Sequence, residues 1–103
     1  MSRIEQITEL LKENPSDSFL QHALALEYVK SGNDSDAKSV FEKLLSDNPH
    51  YVGSYYHLAK LLERLGQDDE AIKVYERGMD IAKELGEQHA YGELKSAYEY
   101  LIY

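Results

Sequence analysis

Four histidines, His22, His50, His57 and His89, are the side chains in this sequence best suited to chemistry. A metal site needs several ligands converging, and a spacing such as His-Glu-x-x-His brings two of them to one helical face. None of the four stands at such a spacing, and two imidazoles alone would hold a metal weakly. Surface or groove positions suit them better. The acidic run Asp68-Asp69-Glu70 is the other candidate. Three carboxylates at the start of an amphipathic segment favour the positive end of a helix dipole, which is a structural role. Gly-x-Ser-x-Gly elbows, phosphate-cradling glycine loops and Cys–His pairs are all missing. With no cysteine in the chain, thiol catalysis, disulfides and thiolate metal sites are excluded. No catalytic residue, metal or cofactor is implied, and a non-enzymatic protein is expected.

The elements that would position any site follow from an internal repeat. Residues 44–51, LLSDNPHY, nearly restate residues 10–17, LLKENPSD, 34 positions earlier. At the same offset Leu24-Ala25 falls on Leu58-Ala59, Gly32 on Gly66, Asp34 on Asp68, Ala37 on Ala71, and Phe41 on Tyr75. A period of this length points to stacked helical units.

Each unit reads as two helices. Residues 18–31 carry Leu24, Ala25 and Tyr28 on one stripe, with Asp17 or Ser18 as N-cap and Gly32 as the stop. Residues 35–46 carry Ala37, Val40, Phe41, Leu44 and Leu45, with Asp34 or Ser35 as cap. Pro49 forbids extension and pushes Asn48 out of helical geometry. The next unit repeats the plan over residues 52–65 and 69–84. Ala25, Ala37, Ala59 and Ala71 would let paired helices approach closely. Residues 3–15 read as the second helix of a truncated unit, with Ile4, Ile7, Leu10 and Leu11 inward and Pro15 closing it. The last helix, 87–102, fits an offset of 36 better than 34, which puts Tyr91, Leu94, Tyr98 and Leu101 inward. It reads as a cap over the open end of the stack.

These residues resemble the tetratricopeptide repeat family, in the small stand-alone form found in bacteria. The resemblance rests on Leu24-Ala25, Tyr28, Gly32, Ala37, Phe41 and Pro49, then on Tyr55, Leu58-Ala59, Leu62, Gly66, Ala71 and Tyr75. It implies an all-α fold, a right-handed superhelix of antiparallel helix pairs, with about six helices and a C-terminal capping helix. One domain, 1–103, is expected: a half repeat at 3–15, repeats at 18–51 and 52–85, and the cap at 87–102. Two departures stand out. Gln21 sits where the family usually has a bulky residue, so the first repeat is expected to be under-packed there or covered by the N-terminal helix. Gly78 takes a position usually held by alanine. With no proline after the second repeat, helix 69–84 is expected to run long.

Charge excludes further classes. Nineteen Asp and Glu face eleven Lys and Arg, a net charge of −8, so generic binding to nucleic acid is not expected. The apolar runs are too short to span a membrane, and the first ten residues lack a secretory apolar core. A cytoplasmic protein is expected.

The resemblance further implies a protein-interaction module whose concave face is lined by the first helix of each pair. The matching positions are Phe19, His22, Leu26, Val29 and Lys30 in one repeat, and Gly53, Tyr56, Lys60, Glu63 and Arg64 in the next. The cap would add Ser96, Glu99 and Tyr100. Lys30, Lys60 and Arg64 against Glu63 make this set locally basic on an acidic chain. It is expected to take a peptide or helix of a partner protein bearing acidic and apolar side chains. The Lys/Asn/Arg clamp of chaperone-tail-binding members is not expected, because His22, Leu26 and His57 occupy its positions. The alternative function is self-assembly into a homodimer or larger stack through the open repeat ends, to which the aromatic tail YEYLIY would contribute.

Overall fold

Pro15 and Pro49 stop two of the helices, and Gly32, Gly66 and Gly86 turn three others. The computed structural model describes residues 1–103. It contains six α-helices and no strand: α1 Arg3–Glu13, α2 Ser18–Lys30, α3 Asp34–Asp47, α4 Gly53–Arg64, α5 Asp68–Leu85 and α6 Gln88–Ile102. This is an all-α helical repeat fold. Each boundary lies within two residues of its expected place. The chain divides into two compact units, Met1–Asn48 and Pro49–Tyr103.

In the first unit, α2 packs against both α1 and α3. A capping box opens α1: Ser2 Oγ accepts from the Glu5 N–H at 3.1 Å, and Glu5 Oε1 accepts from the Ser2 N–H at 3.3 Å. Asp17 caps α2 by accepting from the Leu20 N–H at 3.0 Å. The expected cap of α3, Asp34 or Ser35, is corrected. Asn33 holds the N-cap position and makes no side-chain cap bond. Its amide nitrogen donates back to Ser31 Oγ at 3.0 Å instead. Gly32 at φ +80° is the cause, because the left-handed turn swings the Asn33 N–H onto the Tyr28 carbonyl at 2.8 Å.

Ala25, Ala37, Phe41 and Leu44 are all fully buried, so the small residues lie where α2 and α3 meet. In α1 only Ile7 is buried; Ile4 and Leu11 are half-buried. Leu10, expected inward, is 49 % exposed, whereas its counterpart Leu44 is 0 % exposed. The reason is the smaller contact: α1 packs on α2 over a much smaller interface than α3 does. The looseness expected at Gln21 is a small apolar cavity of about 180 Å³ beside it.

In the second unit, α5 packs against both α4 and α6. Tyr55, Leu58, Ala59, Leu61 and Leu62 of α4 are buried together with Ala71, Tyr75, Gly78 and Ala82 of α5. Gly78 answers a steric demand: a methyl group there would stand 2.7 Å from Tyr55 Cβ and 3.2 Å from Leu94 Cδ1. Lys83 replaces the closing proline, so α5 runs to Leu85, an 18-residue helix against 14 residues for α3. Asp68, Asp69 and Glu70 all lie in its first turn, where they complement the dipole. In α6 Leu94 is buried, and Tyr91, Tyr98 and Leu101 are half-buried, which is the stripe expected at an offset of 36. At that offset the fully buried Ala59 corresponds to Lys95, which is exposed. A lysine there keeps that face of α6 polar.

Candidate partner-binding site

The face of α4 not used for packing carries Tyr56 and Lys60, one helical turn apart. Lys60 Nζ stands 5.8 Å from the centre of the Tyr56 ring, within cation–π range. It also stands 3.8 Å from Glu63 Oε2, one turn further on. That carboxylate has a second partner, because the Tyr75 hydroxyl donates to it at 2.5 Å. Burial, reinforced by Glu63, pushes the Tyr75 phenol well above the usual tyrosine range. Glu63 is thereby held from the core side, and Lys60, part-exposed, keeps donors free for solvent.

Opposite this wall stands α6. His89, Gly92, Ser96 and Tyr100 recur at helical spacing and close an open cleft of about 780 Å³ with Tyr56 and Lys60. Nothing lies within 4 Å of the position a Gly92 side chain would take, so the cleft is unobstructed at Gly92. Glu93 also lines it, 3.5 Å from His89 Nε2. A smaller hollow of about 270 Å³ continues past His57, Gly53 and Ala90. Partial burial lowers the His57 pKa, and the nearby Glu93 opposes that shift without cancelling it.

The expected site residues are therefore distributed as follows. Tyr56, Lys60, Ser96 and Tyr100 come together around one cleft. Glu63 supports Lys60 from its side, Arg64 is exposed in the last turn of α4, and Glu99 is exposed outside the cleft lining. In the other unit, Phe19 of α2 is 70 % exposed. His22 rests edge-on against the Phe41 ring, 5.8 Å between centres, so it is partly structural. Leu26 and Val29 are half-buried. Lys30 lies 3.6 Å from Glu27, which Arg3 also approaches at 3.8 Å. The sequence reading missed His89 and Gly92. The signal was available: once the inward stripe of α6 is set at Tyr91, Leu94 and Tyr98, the adjacent face is His89, Gly92, Ser96 and Tyr100. No group of three or more His, Cys, Asp or Glu side chains is placed to hold a metal ion.

Residues 28–98 match the family model described as Tetratricopeptide repeat. This chain belongs to the tetratricopeptide repeat family. Proteins of this kind are in general interaction modules without catalytic activity. A TPR repeat-containing protein of Methanocaldococcus jannaschii is 29 % identical over 82 residues, covering 75 % of this chain. The chain spans only 26 % of that relative's length. A tetratricopeptide repeat domain protein from Salinibacter ruber, solved in solution, is 45 % identical with a TM-score of 0.81. The likeness covers 84 % of this chain and 88 % of that one. A protein of Bordetella parapertussis has the same fold at 22 % identity, with a TM-score of 0.85 over 99 % of this chain and 89 % of its own. No helix is long and apolar enough to cross a membrane.

Proposed function

We propose that this tetratricopeptide repeat chain is a non-enzymatic cytoplasmic adaptor that binds a peptide or helix of another protein, with the cleft between α4 and α6 as its main contact. The observation that carries this reading is the cleft itself. It is open, about 780 Å³, and flanked by two tyrosines, Tyr56 and Tyr100, with Lys60 beside them. Tyrosine provides a large, stiff and amphipathic contact at small entropic cost. Tyr100 is 87 % exposed, a surface a partner would cover. Lys60 supplies the charge for an acidic side chain on that partner; in the first unit, Phe19, Leu26, Val29 and Lys30 of α2 offer the same kind of chemistry.

The test is a pull-down with three chains: wild type, Tyr56→Ala/Lys60→Glu, and Arg77→Glu on the exposed side of α5 as control. A protein retained by wild type and Arg77→Glu, and lost by the cleft variant, supports the reading. Equal retention by all three removes it. A second reading, self-association through the repeat ends, draws on Leu10 at 49 % exposure and on Ile102 and Tyr103 at 38 % and 95 %. Sedimentation showing a monomer at all concentrations excludes that reading.

A further inference from the structure

The two units differ most at one pair of equivalent positions. In the second, Tyr55 is buried and its hydroxyl donates to the Pro49 carbonyl at 2.6 Å. In the first, Gln21 takes the place of Tyr55, and its Nε2 donates to the Pro15 carbonyl at 2.9 Å. An amide makes the bond of the phenol without filling the volume of its ring. Beside Gln21 lies the cavity of about 180 Å³, lined by Leu11, Pro15, Leu24, Val40 and Lys43. Pro15, Gln21, Leu24, Val40 and Lys43 are the counterparts, 34 residues earlier, of Pro49, Tyr55, Leu58, Val74 and Arg77.

Two properties of this cavity define what it would take. It is a half-open hollow, and its volume exceeds the roughly 150 Å³ of an enclosed apolar cavity that admits benzene. The one unsatisfied polar atom beside it is an acceptor: Gln21 Oε1 has no hydrogen-bond donor and lies beneath the lining, out of reach of a water molecule. We propose that the cavity beside Gln21 binds a phenol-type ring, the group that the second unit carries in its own chain as Tyr55. The apolar walls receive the ring, and as the Gln21 amide turns toward the hollow a single hydroxyl supplies the donor that its Oε1 lacks. The ring can arrive on a free small phenol or as a tyrosine side chain of another polypeptide. This inference concerns the first unit and is independent of the cleft between α4 and α6.

The experiment is an NMR titration of the isotopically labelled full chain with p-cresol and, separately, with N-acetyltyrosinamide. The expected result is saturable shifts in the methyl groups of Leu11, Leu24 and Val40 and in the Gln21 side-chain amide, with α4 to α6 unmoved. Gln21→Tyr, which fills the cavity from α2, and Val40→Phe, which fills it from α3, should each weaken binding at least tenfold. Saturation by both probes supports the site with a polypeptide tyrosine as its source, and saturation by p-cresol alone supports it with a free phenol. Shifts that never saturate with either probe, or that persist unchanged in a folded cavity-filled variant, overturn the proposal.

Discussion

Gln21 and Tyr55 stand 34 residues apart and make the same bond: each donates to the carbonyl oxygen of the proline six residues before it, at 2.9 Å to Pro15 and 2.6 Å to Pro49. The bond ties the first helix of each repeat to the chain entering it, next to the proline that ends the preceding helix. Two side chains of different size and chemistry serve one function because only the donor at the tip is shared. The rings and amides behind those donors then set what else each unit must accommodate.

Replacing the donors separates the two cases. Tyr55→Phe keeps the ring and loses the bond, with an expected loss of about 1 kcal/mol in urea unfolding. Gln21→Leu loses an equivalent bond but also removes Oε1, a buried acceptor without a donor. An unsatisfied group of that kind costs roughly 1–3 kcal/mol. Gln21→Leu is therefore expected to leave stability unchanged or raise it by about 1 kcal/mol. A larger loss for Gln21→Leu than for Tyr55→Phe would mean that Oε1 is satisfied in solution.

The N-termini of α2 and α3 give a second contrast. Asp17 accepts from the Leu20 N–H, whereas Asn33 at the equivalent place makes no cap bond with its side chain. Asp17→Ala should cost about 1 kcal/mol, the usual value of a side-chain cap. Asn33→Ala removes no cap bond and should cost clearly less than Asp17→Ala. Thermal melts of the two single variants decide between them.

Much of this was legible in the sequence, for a physical reason. A repeat forces the same helix, turn and stop signals to recur, so Gly32 and Gly66, or Asn14-Pro15 and Asn48-Pro49, each corroborate the other. Legibility failed where the repeat ends. Leu10 has the spacing of a core residue, but α1 packs on α2 over a smaller interface than α3 does and leaves it exposed. The cleft lining at His89 and Gly92 depends on how α6 docks, and α6 departs from the 34-residue period, so the repeat does not fix its register. Bonds between elements, such as Tyr75 to Glu63, follow from packing and leave no local pattern at all.

That bond gives a pH dependence with a definite sign. Burial and Glu63 raise the Tyr75 phenol on folding, so the native state binds this proton more tightly than the unfolded chain does. The resulting stability is complete below about pH 10, the ordinary tyrosine value, and is lost as the pH rises above it. The slope for one such group is about 1.4 kcal/mol per pH unit above that point. Tyr98 is pushed the same way, by desolvation and then by Glu76. Tyr75→Phe should flatten the alkaline limb of the unfolding profile relative to wild type. An identical limb in both chains would show that Tyr75 already ionises in the folded protein.

Gly78 and Gly92 receive the same substitution with opposite expected signs. Both lie inside helices, where alanine is favoured over glycine by roughly 0.5–1 kcal/mol. At Gly92 nothing lies within 4 Å of the new methyl group, so Gly92→Ala should stabilise the protein by that amount. At Gly78 the methyl would stand 2.7 Å from Tyr55 Cβ, and no rotamer of Tyr55 moves its own Cβ away. The α4 and α5 backbones must separate instead, and overpacking of this kind costs about 1–3 kcal/mol. Gly78→Ala should therefore destabilise, by up to about 2 kcal/mol after the helix gain is subtracted. Differential scanning calorimetry of both variants tests the pair. A neutral Gly78→Ala would mean that α4 and α5 can part at this crossing without loss, and that glycine is not what fixes their spacing.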